Sequence, residues 1–224
     1  VGVLHDLELE QLLDALHSRS DEQVASLRRF EAERASKALT EDEIRNFRSD
    51  KLVALDRDKA EFCYQLCRAT DTRRIVEIGT SFGVSTLYLA AAVRDNVRAA
   101  GGSGMVIGTE YEPAKAAAAR THFEQAGLSR FIDLREGDLR ETLVDTGGPL
   151  DFVLVDIWIP MARVALELVS PHLRAGAVVL CDNTEQYRNE YADYFAFLAD
   201  PANGFRTMTL PFDGGLELSV RCQL

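Results

Sequence analysis

The stretch VEIGTSFGVSTLYLA, residues 76–90, joins an apolar strand pattern, a glycine turn and an apolar helix pattern with nothing between them. Such a turn suits a ligand, because in open parallel sheets ligands sit beyond the carboxyl ends of the strands, where helix N-termini present unpaired N–H groups. Gly79 and Gly83 let backbone approach a ligand. Ser81 stands where a dinucleotide motif wants its middle glycine, and no lysine follows Gly83, so nucleotide phosphates match poorly. An amino-acid ligand matches better. Hydroxyls of Thr80, Ser81, Ser85 or Thr86 beside the helix start are candidates to hold its carboxylate, and Glu77, ending the strand, compensates its amino group. Glu110 ends the next strand in IGTEYEP. A carboxylate there accepts two hydrogen bonds from ribose hydroxyls, or is an ordinary loop acid.

Two further segments, LDFVLVDIWIP and AVVLCDN, put Asp156 and the adjacent pair Asp182 and Asn183 at the ends of two strands expected to be neighbours. Three hard oxygen donors converging there outline a site for a divalent cation, Mg²⁺ or a similar hard ion, since softer metals favour His or Cys. The same residues also serve as caps for helices or turns. Cys63, Cys67, Cys181 and Cys222 contain no CxxC pair and read as free thiols. Cys63 and Cys67 share a helix face, as core or as half of a zinc site. His5 and His17 fall on N-terminal helices, and His122 and His172 within or near the ends of sheet-covering helices far from the ligand edge. All four read as non-catalytic.

The elements that must position these residues divide near residue 72, with helical periodicity before it and alternating strand and helix signals after it. Helices are expected around residues 4–16, 21–39 and 52–69, with a capping box from Thr40 to Glu43. Strands are expected at 74–78, 105–110, 131–136, 150–157 and 177–182, and helices at 84–94, 113–126, 139–144, 161–173 and 187–198. Residues 98–104 read as a flexible glycine-rich loop. Strands apolar on both faces and joined by helices indicate a doubly wound α/β fold with a parallel sheet. Residues 205–210 and 216–222, flanking a turn-rich PFDGG, form a closing hairpin and supply one antiparallel strand. Residues 1–71 then form a helical appendage, a lid or a dimer contact, and residues 72–224 the ligand-binding core.

A chain of 224 residues with 46% hydrophobic content buries a full core in one α/β domain. The formal net charge of −11 repels polyanions, and no basic block interleaved with aromatics offsets it, which argues against nucleic acid as substrate. No signal peptide or membrane span is read, and a cytoplasmic location is expected.

Across residues 73–224 the order of motifs resembles the class I S-adenosylmethionine-dependent methyltransferases, with a seven-stranded, mainly parallel, Rossmann-like sheet. The resemblance implies that Glu77, Gly79 and Gly83 hold the methionine part of S-adenosylmethionine and that Glu110 holds its ribose. Tyr111 would lie beside the adenosine, with Gly137 and Asp138 near adenine; Asp138 is equally an expected helix N-cap. Asp156, Asp182 and Asn183 narrow the resemblance to the catechol O-methyltransferase-like subgroup. That subgroup implies a divalent cation that orients an acceptor hydroxyl and stabilises its anion. One departure matters: the subgroup's lysine base, three residues after the metal aspartate, is replaced by Ile159. Proton removal then falls to Asp156, to water or to an unidentified group. Trp158 is a wall of the acceptor pocket or core, and Tyr187 lies close enough to Asn183 to line that pocket. The expected reaction is methyl transfer to a hydroxyl of a small aromatic or polyhydroxylated molecule. The alternatives are a metal-independent N- or O-methyltransferase, a dinucleotide-dependent oxidoreductase and a non-catalytic cofactor-binding protein.

Overall fold

The structure is a computed structural model that describes residues 2–37 and 39–222. Seven strands form one sheet: β1 (Arg74–Ile78), β2 (Met105–Glu110), β3 (Ile132–Glu136), β4 (Leu150–Val155), β5 (Leu173–Asp182), β6 (Phe205–Leu210) and β7 (Leu216–Arg221). Their order is β3-β2-β1-β4-β5-β7-β6, parallel from β3 to β5. β7 runs antiparallel to both β5 and β6, so the hairpin supplies the one reversed strand expected of it. The order reverses between β1 and β4, which opens a crevice at the carboxyl edge where the first glycine turn lies.

Because side chains alternate along a strand, each strand feeds two cores. Ile75, Val106, Leu154 and Leu180 face a cluster with α4 (Arg57–Ala69) and α5 (Val84–Ala100). Val76, Ile107, Val155 and Cys181 face the opposite cluster with α8 (Ile159–Val169) and α9 (Ala192–Ala199). Helix α6 (Pro113–Gln125) adds to the first layer and α7 (Leu139–Thr142) to the second. Near the N-terminus, α1 (Leu7–Asp21) is followed by α2 (Val24–Ser36) and α3 (Glu41–Arg48). Leu9, Leu13 and Leu16 of α1 join the α4–α5 core. The capping box forms: Thr40 Oγ1 accepts from the Glu43 N–H while the Glu43 carboxylate accepts from the Thr40 N–H. No helix among the described residues is long and apolar enough to cross a membrane.

Several boundaries differ from expectation, among them that of α4, expected from residue 52 and beginning at Arg57. Helix α5 runs to Ala100 and ends at Gly101, whose φ of 74° suits a helix terminus, so the first residues of the supposed loop, 98–100, are helix and the connection is residues 101–104. Strand β5 begins at Leu173, with a register shift opposite Leu150 and Phe152. Helix α9 starts only at Ala192, because residues 183–191 turn across the sheet edge before the chain can reverse.

Candidate active site

Strand parity gathers the acids. Two residues beyond the inward-facing Ile75, Leu154 and Leu180 come Glu77, Asp156 and Asp182, and Glu110 continues from Val106 through Gly108, so all four point to the α4–α5 side. Leu154 pairs with Leu180, which sets Asp156 beside Asp182.

Glu77 is fully buried. Its Oε2 accepts hydrogen bonds from Thr80 Oγ1 (3.0 Å) and Thr86 Oγ1, while Oε1 has no partner among the described residues. Burial pushes this carboxyl from 4.5 up to about 7, against the hydroxyls of Ser85, Thr86 and Thr80, which favour its ionised form. An unpartnered buried carboxylate oxygen is costly unless a donor reaches it, and a ligand ammonium meets that need. In this structure the hydroxyls of Thr80 and Thr86 donate to Glu77. Ser81 remains available, together with the backbone of the turn.

The turn is shaped by conformations that a side chain would strain. Gly79 has φ of 97°, and a Cβ there would lie 2.0 Å from the Asp156 carbonyl oxygen. Ser81 has φ of 51°, and its N–H donates to Glu110 Oε2 at 2.7 Å. Glu110 Oε1 accepts from the Glu112 N–H at 2.8 Å, and the side chain is 9% exposed. Each carboxylate oxygen keeps a lone pair for a ribose hydroxyl. The Gly137 N–H donates to the Glu110 carbonyl at 2.9 Å, so β3's end is tied to the same rim. Tyr111 is 62% exposed there. Asp138 is the N-cap of α7: it accepts from the Arg140 N–H and pairs with that guanidinium, which draws its carboxyl down to about 2.

Sequence reasoning missed three features. A strap, residues 52–55, lies over Gly79, Thr80, Ser81, Ser85 and Asp156 and leaves about 10 Å³ between them. It is held from α1 and the turn after it: the Leu52 N–H donates to Gln23 Oε1 and the Ala54 N–H to Ser20 Oγ, both at 3.1 Å. Second, His122 is nearer the turn than expected, with Nδ1 2.9 Å from the Phe82 carbonyl oxygen. Third is Lys59 on α4, 0% exposed, whose Nζ lies 2.8 Å from Asp182 Oδ1 and 2.9 Å from Asp56 Oδ2. A lysine on the same stripe as the buried Cys63 and Cys67 was the signal for it.

Asp182 is 5% exposed, and its second oxygen accepts from Asn183 Nδ2 at 2.8 Å. Asn183 itself sits at φ of 57°. Burial, the Asp182 charge and the Glu77 charge raise the Asp156 carboxyl, and Lys59 pulls it back. Asp182 Oδ1 thus faces the Lys59 ammonium and Oδ2 the neutral Asn183 amide, and no group of three or more His, Cys, Asp or Glu among the described residues is arranged to hold a metal ion. With Lys59 in this place the donor set does not fit a divalent cation.

Beyond the strand ends, a groove of about 560 Å³ runs between residues 185–186 and 209–215, lined by Leu210, Pro211 and Phe212. Tyr187 stands beside it, with its hydroxyl 3.1 Å from Gln186 Nε2. Trp158 is the half-buried N-cap residue of α8.

Residues 76–184 match a family model described as a methyltransferase domain. The catechol O-methyltransferase of Mycobacterium tuberculosis (strain ATCC 25618 / H37Rv) is 33% identical over 132 residues, 58% of this chain and 57% of that protein. The catechol O-methyltransferase of Niastella koreensis is 28% identical over 135 residues, 58% of each. The match thus spans less than two thirds of the length of these curated relatives. Among solved structures, a cofactor-bound protein from MTB superimposes with a TM-score of 0.67 at 26% identity, over 76% of this chain and 83% of that one. An O-methyltransferase from Bacillus cereus in complex with SAH gives 0.65 at 23%, over 75% and 82%, a likeness of fold. The sheet order and the acid-bearing glycine turn accompany a likeness, over residues 76–184, to methyltransferase domains and, over 58% of the chain, to curated catechol O-methyltransferases.

Proposed function

We propose that this chain transfers the methyl group of S-adenosylmethionine to a hydroxyl of a small aromatic or polyhydroxylated molecule. The observation that carries the reading is the buried, unpartnered Glu77 Oε1 at a strained glycine turn, facing the same crevice as Glu110 and Asp156. Glu77 would take the cofactor's ammonium, the turn at Ser81 its carboxylate and Glu110 its ribose hydroxyls. When bound, the cofactor supplies a methyl on a sulfonium, and attack by an acceptor oxygen breaks the carbon–sulfur bond with its electron pair passing to sulfur.

The chain's own work is to orient and to move a proton. Asp156 lies in the cleft with Gly79, Thr80 and Ser85, and its raised proton affinity suits it to accept the proton of an acceptor hydroxyl. The strap at residues 52–55 excludes water from the transfer, and closing a crevice around aligned reactants supplies much of the rate in such displacements. The groove lined by Leu210, Pro211 and Phe212 offers an apolar wall to an aromatic acceptor. The names of the curated relatives support a hydroxyl acceptor.

The test is incubation with methyl-¹³C cofactor and a panel of dihydroxy- and monohydroxy-aromatics, read by NMR for new O–¹³CH₃ signals. Methylated product with the wild-type chain, and at least a hundredfold slower product with Asp156→Asn at unchanged SAH affinity, is the expected result. Carbon-13 on nitrogen, or no product from a chain that binds SAH, would contradict it.

A further inference from the structure

Lys59 stands where the family resemblance puts a metal ion. It sits in the first turn of α4, and its ammonium makes close charge contacts, without aligned hydrogen bonds, with Asp182 at the end of β5 and with Asp56, the N-cap residue of its own helix. Its position on the buried stripe of α4 means that it is there at the cost of desolvation, which a lysine bears only with fixed anionic partners. The cluster it enters is acidic: Asp156 and Asp182 are adjacent, both carboxyls are raised by burial, and Lys59 opposes that rise in each.

The geometry leaves little room for a second cation. A hard divalent ion binds carboxylate oxygen at about 2.0–2.1 Å. An ion on Asp182 Oδ1 would share that oxygen with an ammonium 2.8 Å from it, and the other oxygen already faces the Asn183 amide nitrogen. The two positive centres would then stand within about 5 Å in a site of low dielectric. We propose that the Lys59 ammonium is the resident cation of this acid cluster, so that the chain works with an internal side-chain cation in place of a divalent ion. Lys59 is a positioning residue: it fixes Asp182 and tempers Asp156, and the loss of the family lysine at Ile159 leaves it as the lysine of the site. This assignment rests on the methyltransferase reading for its meaning, but the occupancy it asserts is measurable independently of turnover.

The experiment is a Mn²⁺ titration of the full chain, read by electron paramagnetic resonance in the presence of SAH, with SAH affinity measured in the same samples by calorimetry. The wild type is expected to leave the free Mn²⁺ signal unchanged. Lys59→Ala is expected to remove one ion per chain from solution, and Asp182→Ala in that background to restore the signal. One Mn²⁺ bound by the wild type and lost with Asp182→Ala would overturn the proposal, as would a folded Lys59→Ala chain that binds none. Should Lys59→Ala not fold, the wild-type titration alone decides between an ammonium and an ion at Asp182. Absence of SAH binding would count against the methyltransferase reading and leave the Mn²⁺ result to judge Lys59 by itself.

Discussion

Replacing Lys59 by methionine keeps most of the aliphatic stem and deletes the charge, which isolates the electrostatics of the acid cluster. At 2.8 Å, two unit charges in an effective dielectric of about 20 attract by roughly 6 kcal/mol. Part of this is offset, because the lysine no longer has to be desolvated. Removing one member of a buried pair generally costs about 3–5 kcal/mol, since the partner is left uncompensated. For a chain of this size each kcal/mol moves Tm by about 2–4 °C, so the loss is roughly 10 °C at pH 8. The dependence on pH has a definite sign. Asp156 and Asp182 are already raised in the folded state, and without Lys59 they rise further. The native chain then holds protons that the unfolded chain releases, so the variant's stability falls as pH rises above the ordinary carboxylate value of about 4. Calorimetric unfolding at pH 5.5 and pH 8 is the assay: the deficit should be smaller at pH 5.5, and Asp182→Leu added to Lys59→Met should recover most of it. A deficit under about 2 °C at pH 8, or one that grows on acidification, would refute the reasoning.

Glu77→Gln should flatten the pH dependence of the ligand-free chain. The folded carboxyl is raised from 4.5 to about 7, so its contribution is present below the lower value and is lost as pH rises through the higher. The loss is roughly 3 kcal/mol over that window, read from denaturant midpoints of wild type against variant. The same linkage means that SAH binding near pH 6.5 should release a proton in the wild type, seen as buffer-dependent calorimetric enthalpy, and should not in Glu77→Gln. Gly79→Ala should destabilise the chain by about 2–4 kcal/mol, combining a disfavoured positive φ with a clash against the Asp156 carbonyl. Thermal unfolding checks it, and an unshifted Tm would mean that the turn does not hold this conformation.

What the sequence revealed follows the reach of its interactions. Strand β1 and the turn after it were legible because apolar run, glycine and helix start are consecutive, and β2 because the apolar Met105, Val106 and Ile107 lead within three residues to Glu110. The shared face of the four acids could be inferred once strand ends were known, since alternation fixes parity. Lys59 could not be joined to Asp182 in this way, because their contact depends on how α4 crosses the sheet edge. The late start of α9 is of the same kind: residues 187–191 carry helical spacing, yet Tyr191 spends its hydroxyl on the Asp182 carbonyl and anchors a turn. The roles of Thr80 and Thr86 also required three dimensions, for a hydroxyl beside a glycine turn serves a ligand or an acid equally well until the acid's own geometry is known.

The central claim is that the crevice between Glu77 and Glu110 holds an S-adenosyl nucleoside. Calorimetric titration of the chain with SAH tests it most directly, alongside Glu110→Ala with folding checked by circular dichroism. The account predicts one SAH per wild-type chain and an affinity roughly ten- to a hundredfold weaker in the variant, as expected for lost buried hydrogen bonds. No heat of binding in the wild type, or equal affinity in the folded variant, would contradict it.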